Sequence, residues 1–296
     1  LPCELDDTCW KDYLGFLDEA WSEARPTTEE ELAAQIDAVS SGLVPSLFAP
    51  LPPDELRADL MAAMNVGFLR DGINGRLLEV TTTNAVDAGS FTIRRLLFRD
   101  EYVGTFEGLL LMPKGEGPFP GVVAIHGHFQ SAAQYVELSQ GSKYPKNGYA
   151  LLALSMRADN ADWVEDLVTT SLLLDGFTFM ALRHYETILA LKYLRYLPAV
   201  DPGRIGLIGH SGGSVASNLT IRIEPGFVAY TSDCRGIYVN GSPGELIDET
   251  APDLFPFHQL VNDFTTSETP ILDVPYDHAA TPEGIDEILE FFDDYV

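Results

Sequence analysis

RIGLIGHSGGSVASNLTI, residues 204–221, decides the architecture of this chain. Its first part, IGLIG, is an apolar run of strand length. Its last part, GSVASNLTI, reads as a helix. Between them Ser211 stands among Gly209, His210, Gly212 and Gly213. A strand that passes into a helix within so few residues needs a sharp turn, and the glycines remove Cβ atoms that would collide in it. The turn forces Ser211 into a strained backbone conformation and aims its hydroxyl out of the strand's C-terminal end. The helix that follows directs its unpaired N–H groups and the positive end of its dipole at the same place.

The flanking chain alternates in the same way. Strands are predicted at 120–125, 149–155, 204–209 and 227–232, and helices at 177–197 and 212–221. Pro198 stops the long helix, and DPGR (201–204) supplies the turn into the next strand. SFTIRRLLFRDEYVGTFEGLLLMPK (90–114) reads as two strands of a hairpin or meander. Strands alternating with helices imply an α/β fold with a mostly parallel sheet covered on both faces. Before residue 86 the pattern is helical. TTEEELAAQIDAVSSG (27–42) opens with a possible N-cap at Thr27 or Thr28 and places Leu32, Ile36 and Val39 at helical spacing. A second amphipathic helix is predicted over 53–69. The chain thus divides into a helical extension, 1–85, acting as cap or brace, and a catalytic domain, 86–296.

The strand–turn–helix context turns the G-x-S-x-G match at 209–213 from a weak signal into a nucleophile elbow, with Ser211 the nucleophile. A serine that attacks a carbonyl also needs donors for the oxyanion. One is the backbone N–H of Gly212. The second comes from the loop after the buried strand GVVAI (121–125), where His126–Gly127–His128 follows, and the N–H of His128 is the preferred donor. The side chains of His126 and His128 read as structural or pocket-lining. Phe129, Trp163 and Phe177 line an acyl pocket or pack in the core. On the long helix, His184 and Glu186 are two residues apart and share no face, so Arg183 and Glu186 read as a structural pair.

These features, with the run LLLDGFTFMALRHYETILALKYLRYLPAVDPGRIGLIGHSGGS (172–214), resemble the α/β-hydrolase superfamily. More narrowly they resemble its dienelactone-hydrolase-like and acetylxylan-esterase-like serine esterases. The resemblance spans roughly residues 90–240. It implies a central sheet of about eight strands, a Ser-His-acid triad that needs no cofactor or metal, and an acyl-enzyme formed from an ester. In the superfamily's order the acid and then the His follow the Ser. Two histidines follow Ser211. His278, in YDHAATPEG between a strand at 270–274 and a final amphipathic helix, is the expected base, with His258 the alternative. Asp233, at the end of FVAYTSD, is the first candidate acid, Asp248 the second, and Asp253, Asp263 and Asp277 are further candidates. The strand at 270–274 can instead be read as the acid-bearing one. Asp277 would then be the acid, and the chain would end before the usual His.

Composition bounds the partners. The 296 residues carry 45 acidic against 18 basic side chains, a net charge of −27, which repels nucleic acid and anionic membrane surfaces. The charge fits a solubilising surface or adaptation to high salt. No apolar run reaches the length of a membrane span, and no Cys–His spacing suits zinc. Cys3 and Cys9 could close a small disulfide loop, leaving Cys234 as a free thiol. With a first residue other than Met, this suggests a secreted or extracytoplasmic protein. The substrate is a small-molecule or polymer ester, and the oligomeric state stays open. Two other readings are a non-catalytic binding protein on the same fold, and a peptidase or amidase.

Overall fold

The apolar run that ends in the His126–Gly127–His128 loop lies in the middle of a nine-stranded sheet. The computed structural model describes residues 53–67, 78–128, 130–157, 162–175, 177–235 and 267–296. All of these belong to one unit, Pro50–Val296. The helix expected at 27–42, Cys3, Cys9, Phe129, Asp248, Asp253, His258 and Asp263 lie outside the described residues, as do the side chains of Trp163 and Cys234.

The strands are β1 (Glu79–Thr82), β2 (Val86–Asp87), β3 (Phe91–Asp100), β4 (Gly104–Pro113), β5 (Phe119–Ile125), β6 (Ala150–Ser155), β7 (Val200–His210), β8 (Tyr230–Arg235) and β9 (Ile271–Pro275). Their spatial order is β1-β3-β4-β6-β5-β7-β8-β9, with the short β2 paired to β3. Pairings from β1 through to β4–β6 are antiparallel. From β6 through β5, β7 and β8 to β9 they are parallel. The hairpin expected at 90–114 is β3–β4, closed where Asp100 faces Gly104. There the Asp100 carboxylate accepts the N–H groups of Tyr102 and Val103 and the hydroxyl of Tyr185.

The helices are α1 (Pro53–Ala63), α2 (Ala132–Leu138), α3 (Lys143–Lys146), α4 (Asp162–Leu174), α5 (Phe179–Tyr196), α6 (Gly212–Ile223) and α7 (Pro282–Tyr295). Alternate residues of the central strands serve opposite faces of the sheet. Val123, Ile125, Leu152, Leu154, Ile205 and Leu207 pack with Tyr185, Leu189 and Leu194 of α5. Val122, Ala124, Leu151, Ala153, Ile208 and Val274 pack with α2, α3 and α7. Behind α5 and α6, Leu56 and Leu60 of α1 and Met64 just after it bury against Phe179, Met180, Ala216 and Leu219. Among the described residues no helix is long and apolar enough to cross a membrane.

Several elements differ from the sequence reading: the helix expected at 53–69 ends at Ala63, and α4 was not expected. β7 begins at Val200 and runs through the expected DPGR turn, with an irregular register between the Phe119 and Gly121 pairings to β5. β8 begins at Tyr230 instead of 227, because Phe227 is spent plugging the core beneath α5. The stretch 132–138, read as loop, is α2, started by a capping box in which Ser131 and Gln134 satisfy each other's backbone N–H groups.

The last helix is keyed to strand β7. A Cβ on Gly206 would lie 2.7 Å from Phe292 and 3.0 Å from Val296, so only glycine lets α7 sit this close to β7. Phe292 is fully buried. Phe292→Ala is expected to cost about 3–5 kcal/mol of stability, read from urea unfolding, because the rigid sheet cannot collapse into the space.

Candidate active site

Ser211 joins the end of β7 to the first residue of α6 with φ 51° and ψ −124°. A non-glycine residue adopts such a backbone only when its surroundings enforce it. The enforcement is steric. A Cβ on Gly209 would lie 2.5 Å from the Gly213 carbonyl oxygen, and one on Gly213 would lie 2.4 Å from that of Ile125. The first turn of α6 therefore rests directly on the end of β5. Ser214 locks the turn by donating its hydroxyl to the Gly209 carbonyl. Gly212, the expected oxyanion donor, opens α6, where its N–H is among those left without an intrahelical acceptor.

The loop after β5 comes to the same place. A Cβ on Gly127 would lie 2.7 Å from Ser211 Cβ and 3.1 Å from the His210 ring, so the expected oxyanion loop passes within contact distance of the turn. Gln130 holds it by accepting the Gly127 N–H at 3.2 Å. His128 is the next residue and half-buried. His126 is structural. Its Nε2 accepts the Met156 N–H at 3.0 Å, so the proton resides on Nδ1, which donates to the Gly127 carbonyl at 2.8 Å. Burial holds its pKa down at about 4.

On the third side lies the chain after β9. Asp277 has φ 60° and is followed by a short 3-10 turn, His278–Ala280. Asp233, buried at the end of β8, faces this loop. Its Oδ1 accepts the backbone N–H of His278 at 2.9 Å, and its Oδ2 lies 3.0 Å from His210 Nδ1. The structure thus brings Asp233 to the main chain of His278, while the ring of His278 points to α7, with Nε2 2.8 Å from Glu287. Asp277 Oδ1 lies 3.5 Å from His210 Nε2, and its side chain is mostly exposed.

His210 was not singled out by sequence reasoning, yet it is the residue on which Asp233 and Asp277 converge. Nothing local marks this, since both contacts come from strands far along the chain. The Arg183–Glu186 stretch on α5 makes further contacts. Glu186 takes Arg157 from the loop after β6 at 2.5 Å, Arg183 lies over the Phe179 ring, and His184 meets Thr220 of α6 at 3.1 Å. Phe177 is half-buried. Among the described residues no group of three or more His, Cys, Asp or Glu is placed to hold a metal ion.

No family model matches the chain. A curated relative, YtaP of Bacillus subtilis (strain 168), provisionally named a hydrolase, is 30% identical over 127 residues. That match covers 38% of this chain and 42% of YtaP, so less than half of the relative is spanned. Among solved structures, a protein of Bacteroides fragilis provisionally identified as an acetyl xylan esterase superposes with TM-score 0.60 at 14% identity, over 86% of this chain and 79% of that one. Acetyl xylan esterase from Paenibacillus sp. R4 gives 0.59 at 15% identity, over 83% and 100%. An S-formylglutathione hydrolase from Agrobacterium tumefaciens gives 0.54 at 10% identity, over 73% and 99%. The chain has the α/β-hydrolase fold, in the form seen in acetyl xylan esterases.

The neutral His126 sets a pH dependence. In the unfolded chain it takes up a proton near pH 6.5, whereas in the folded one it does so only near pH 4. Its contribution to stability is therefore complete above 6.5 and lost as pH falls toward 4. The loss amounts to about 3 kcal/mol. Chemical denaturation at stepped pH is expected to show a steeper fall for the wild type than for His126→Gln across that window.

Proposed function

We propose that the protein is a serine hydrolase of carboxylic esters in which Ser211 is the nucleophile. The observation that carries this reading is the Ser211 backbone at φ 51°, held between β7 and the N-terminus of α6 with the Gly127 loop against it. Strain of this kind persists where a side chain must be presented to a ligand. The hydroxyl attacks the ester carbonyl and expels the alcohol, and water then releases the acyl group. The N–H groups of Gly212 and His128 stabilise the oxyanion at the positive end of α6.

The acid in this proposal is Asp277. Asp233 has both oxygens committed, to His210 and to the main chain of His278, and so acts as the anchor of the loop. Asp277 stands beside that anchor with its carboxylate open toward the elbow's His210. It also follows β9, two strands past the nucleophile strand. Two histidines of this sequence that follow Ser211 are candidate bases. His278 can serve once its ring leaves Glu287, and His258 is the other. Acetyl esters are the first substrates to try, small p-nitrophenyl esters and acetylated xylan among them, because acetyl xylan esterases share the fold.

Ser211→Ala is expected to lower ester turnover about a thousandfold or more with the fold intact, and unchanged turnover would sink the proposal. Of His258→Ala and His278→Ala, one is expected to fall to the Ser211→Ala level while the other stays near wild type. Equal activity in both places the base elsewhere. Asp277→Asn is expected to reduce kcat about 10²–10⁴-fold at unchanged melting temperature. Asp233→Asn should instead destabilise the fold by about 1–3 kcal/mol, since it strips a buried acceptor from its donors.

A further inference from the structure

The mechanism above makes no use of His210, although it sits next to the nucleophile. Its ring is almost wholly buried between two carboxylates: Asp233 Oδ2 at 3.0 Å from Nδ1 and Asp277 Oδ1 at 3.5 Å from Nε2. A neutral imidazole has one N–H and one lone pair, so it can donate to one of these acids and must turn its lone pair to the other. The imidazolium donates to both. The rest of the surroundings fits a ring that is gripped on every side. Tyr276 lies tilted against it with centroids 5.0 Å apart, and Tyr135 of α2 lies at 6.1 Å. Burial raises the Tyr135 phenol far above its ordinary range, and His126, the other titratable group behind the ring, is held neutral. His128 completes the set on the Gly127 loop. Asp233 spends its second oxygen on the N–H groups of His278 and Ala279, at 2.9 and 3.5 Å. The segment 276–279 is thereby fastened around one side chain at its ring face, its carboxylate and its main chain.

Two residues here carry strained backbones, Ser211 at φ 51° and Asp277 at φ 60°. His210 touches both, the first through the chain and the second through its ring. We propose that His210 is a positioning residue whose ring, held between Asp233 and Asp277, ties the Asp277 loop to the nucleophile turn and fixes where the Asp277 carboxylate stands relative to Ser211. This rests on the assignment of Ser211 as nucleophile and Asp277 as acid.

A double-mutant cycle separates this role from ordinary core packing. His210→Gln keeps a donor for Asp233 but has no second ring nitrogen to set against Asp277. In the wild-type background it is expected to lower kcat about tenfold to a hundredfold through misplacement of the acid, with KM within about twofold. In an Asp277→Asn background the same change is expected to cost about threefold or less, because the partner is already gone. Equal losses in both backgrounds would overturn the proposal. Nitrogen-15 NMR of the His210 ring tests it without any turnover. Asp277→Asn should shift the Nε2 resonance and leave that of Nδ1, which faces Asp233, near its wild-type position. An Nε2 resonance unmoved by Asp277→Asn would refute the bridge. Labelling of Ser211 by a fluorophosphonate tests the underlying reading separately. If the wild type neither labels nor turns over esters, that reading fails while the NMR result still decides whether the bridge exists.

Discussion

The contact on which the site depends is that of the first turn of α6 with the end of β5. Gly213 lies so close to the carbonyls of Ile125 and His126 that no side chain fits between them. That contact fixes the helix against the sheet, and the helix in turn forces Ser211 out of ordinary backbone space. It also fixes the register of two loops, since the residues after Ile125 must then pass directly over Ser211. The parallel pairing of β5 with β7, Ile125 opposite Gly209, is the same constraint seen in the plane of the sheet. Ser211 and the Gly127 loop are placed by one steric fact.

Electrostatics organises the other half. A carboxylate as buried as Asp233 persists only if its oxygens find donors, and here the donors come from β7 and from the chain after β9. In a protein with 45 acidic residues, most carboxylates face water and do little for the fold. Asp233 differs because it is the point where three segments close on each other. The acid-rich surface and the acid-built interior are separate phenomena with separate physical causes.

The elbow was legible in the sequence because its chemistry is local: an apolar strand, glycines on both sides of a serine, and a helix directly after. The strand before His126 was legible for the same reason. Helix α2 could have been found from Ser131 and Gln134, a capping-box pair at the right spacing that was passed over. The partners of His210 and the orientation of the His278 ring had no such signal. Which carboxylate meets which imidazole depends on where β8 and β9 dock, and neither spacing nor composition encodes that. The same holds for Glu186, whose partner Arg157 lies in a different segment.

Strand β9 pairs with β8, and the chain between them runs from residue 236 to 270. Joining them closes a long loop, and that entropy must be met before any contact of the new pair can form. The hairpin β3–β4 and the β5–α2–β6 unit join residues near in sequence and can assemble early. Asp277 is carried on the pair that closes the longer loop, so contact order puts its arrival beside Ser211 later than the pairing of the central strands.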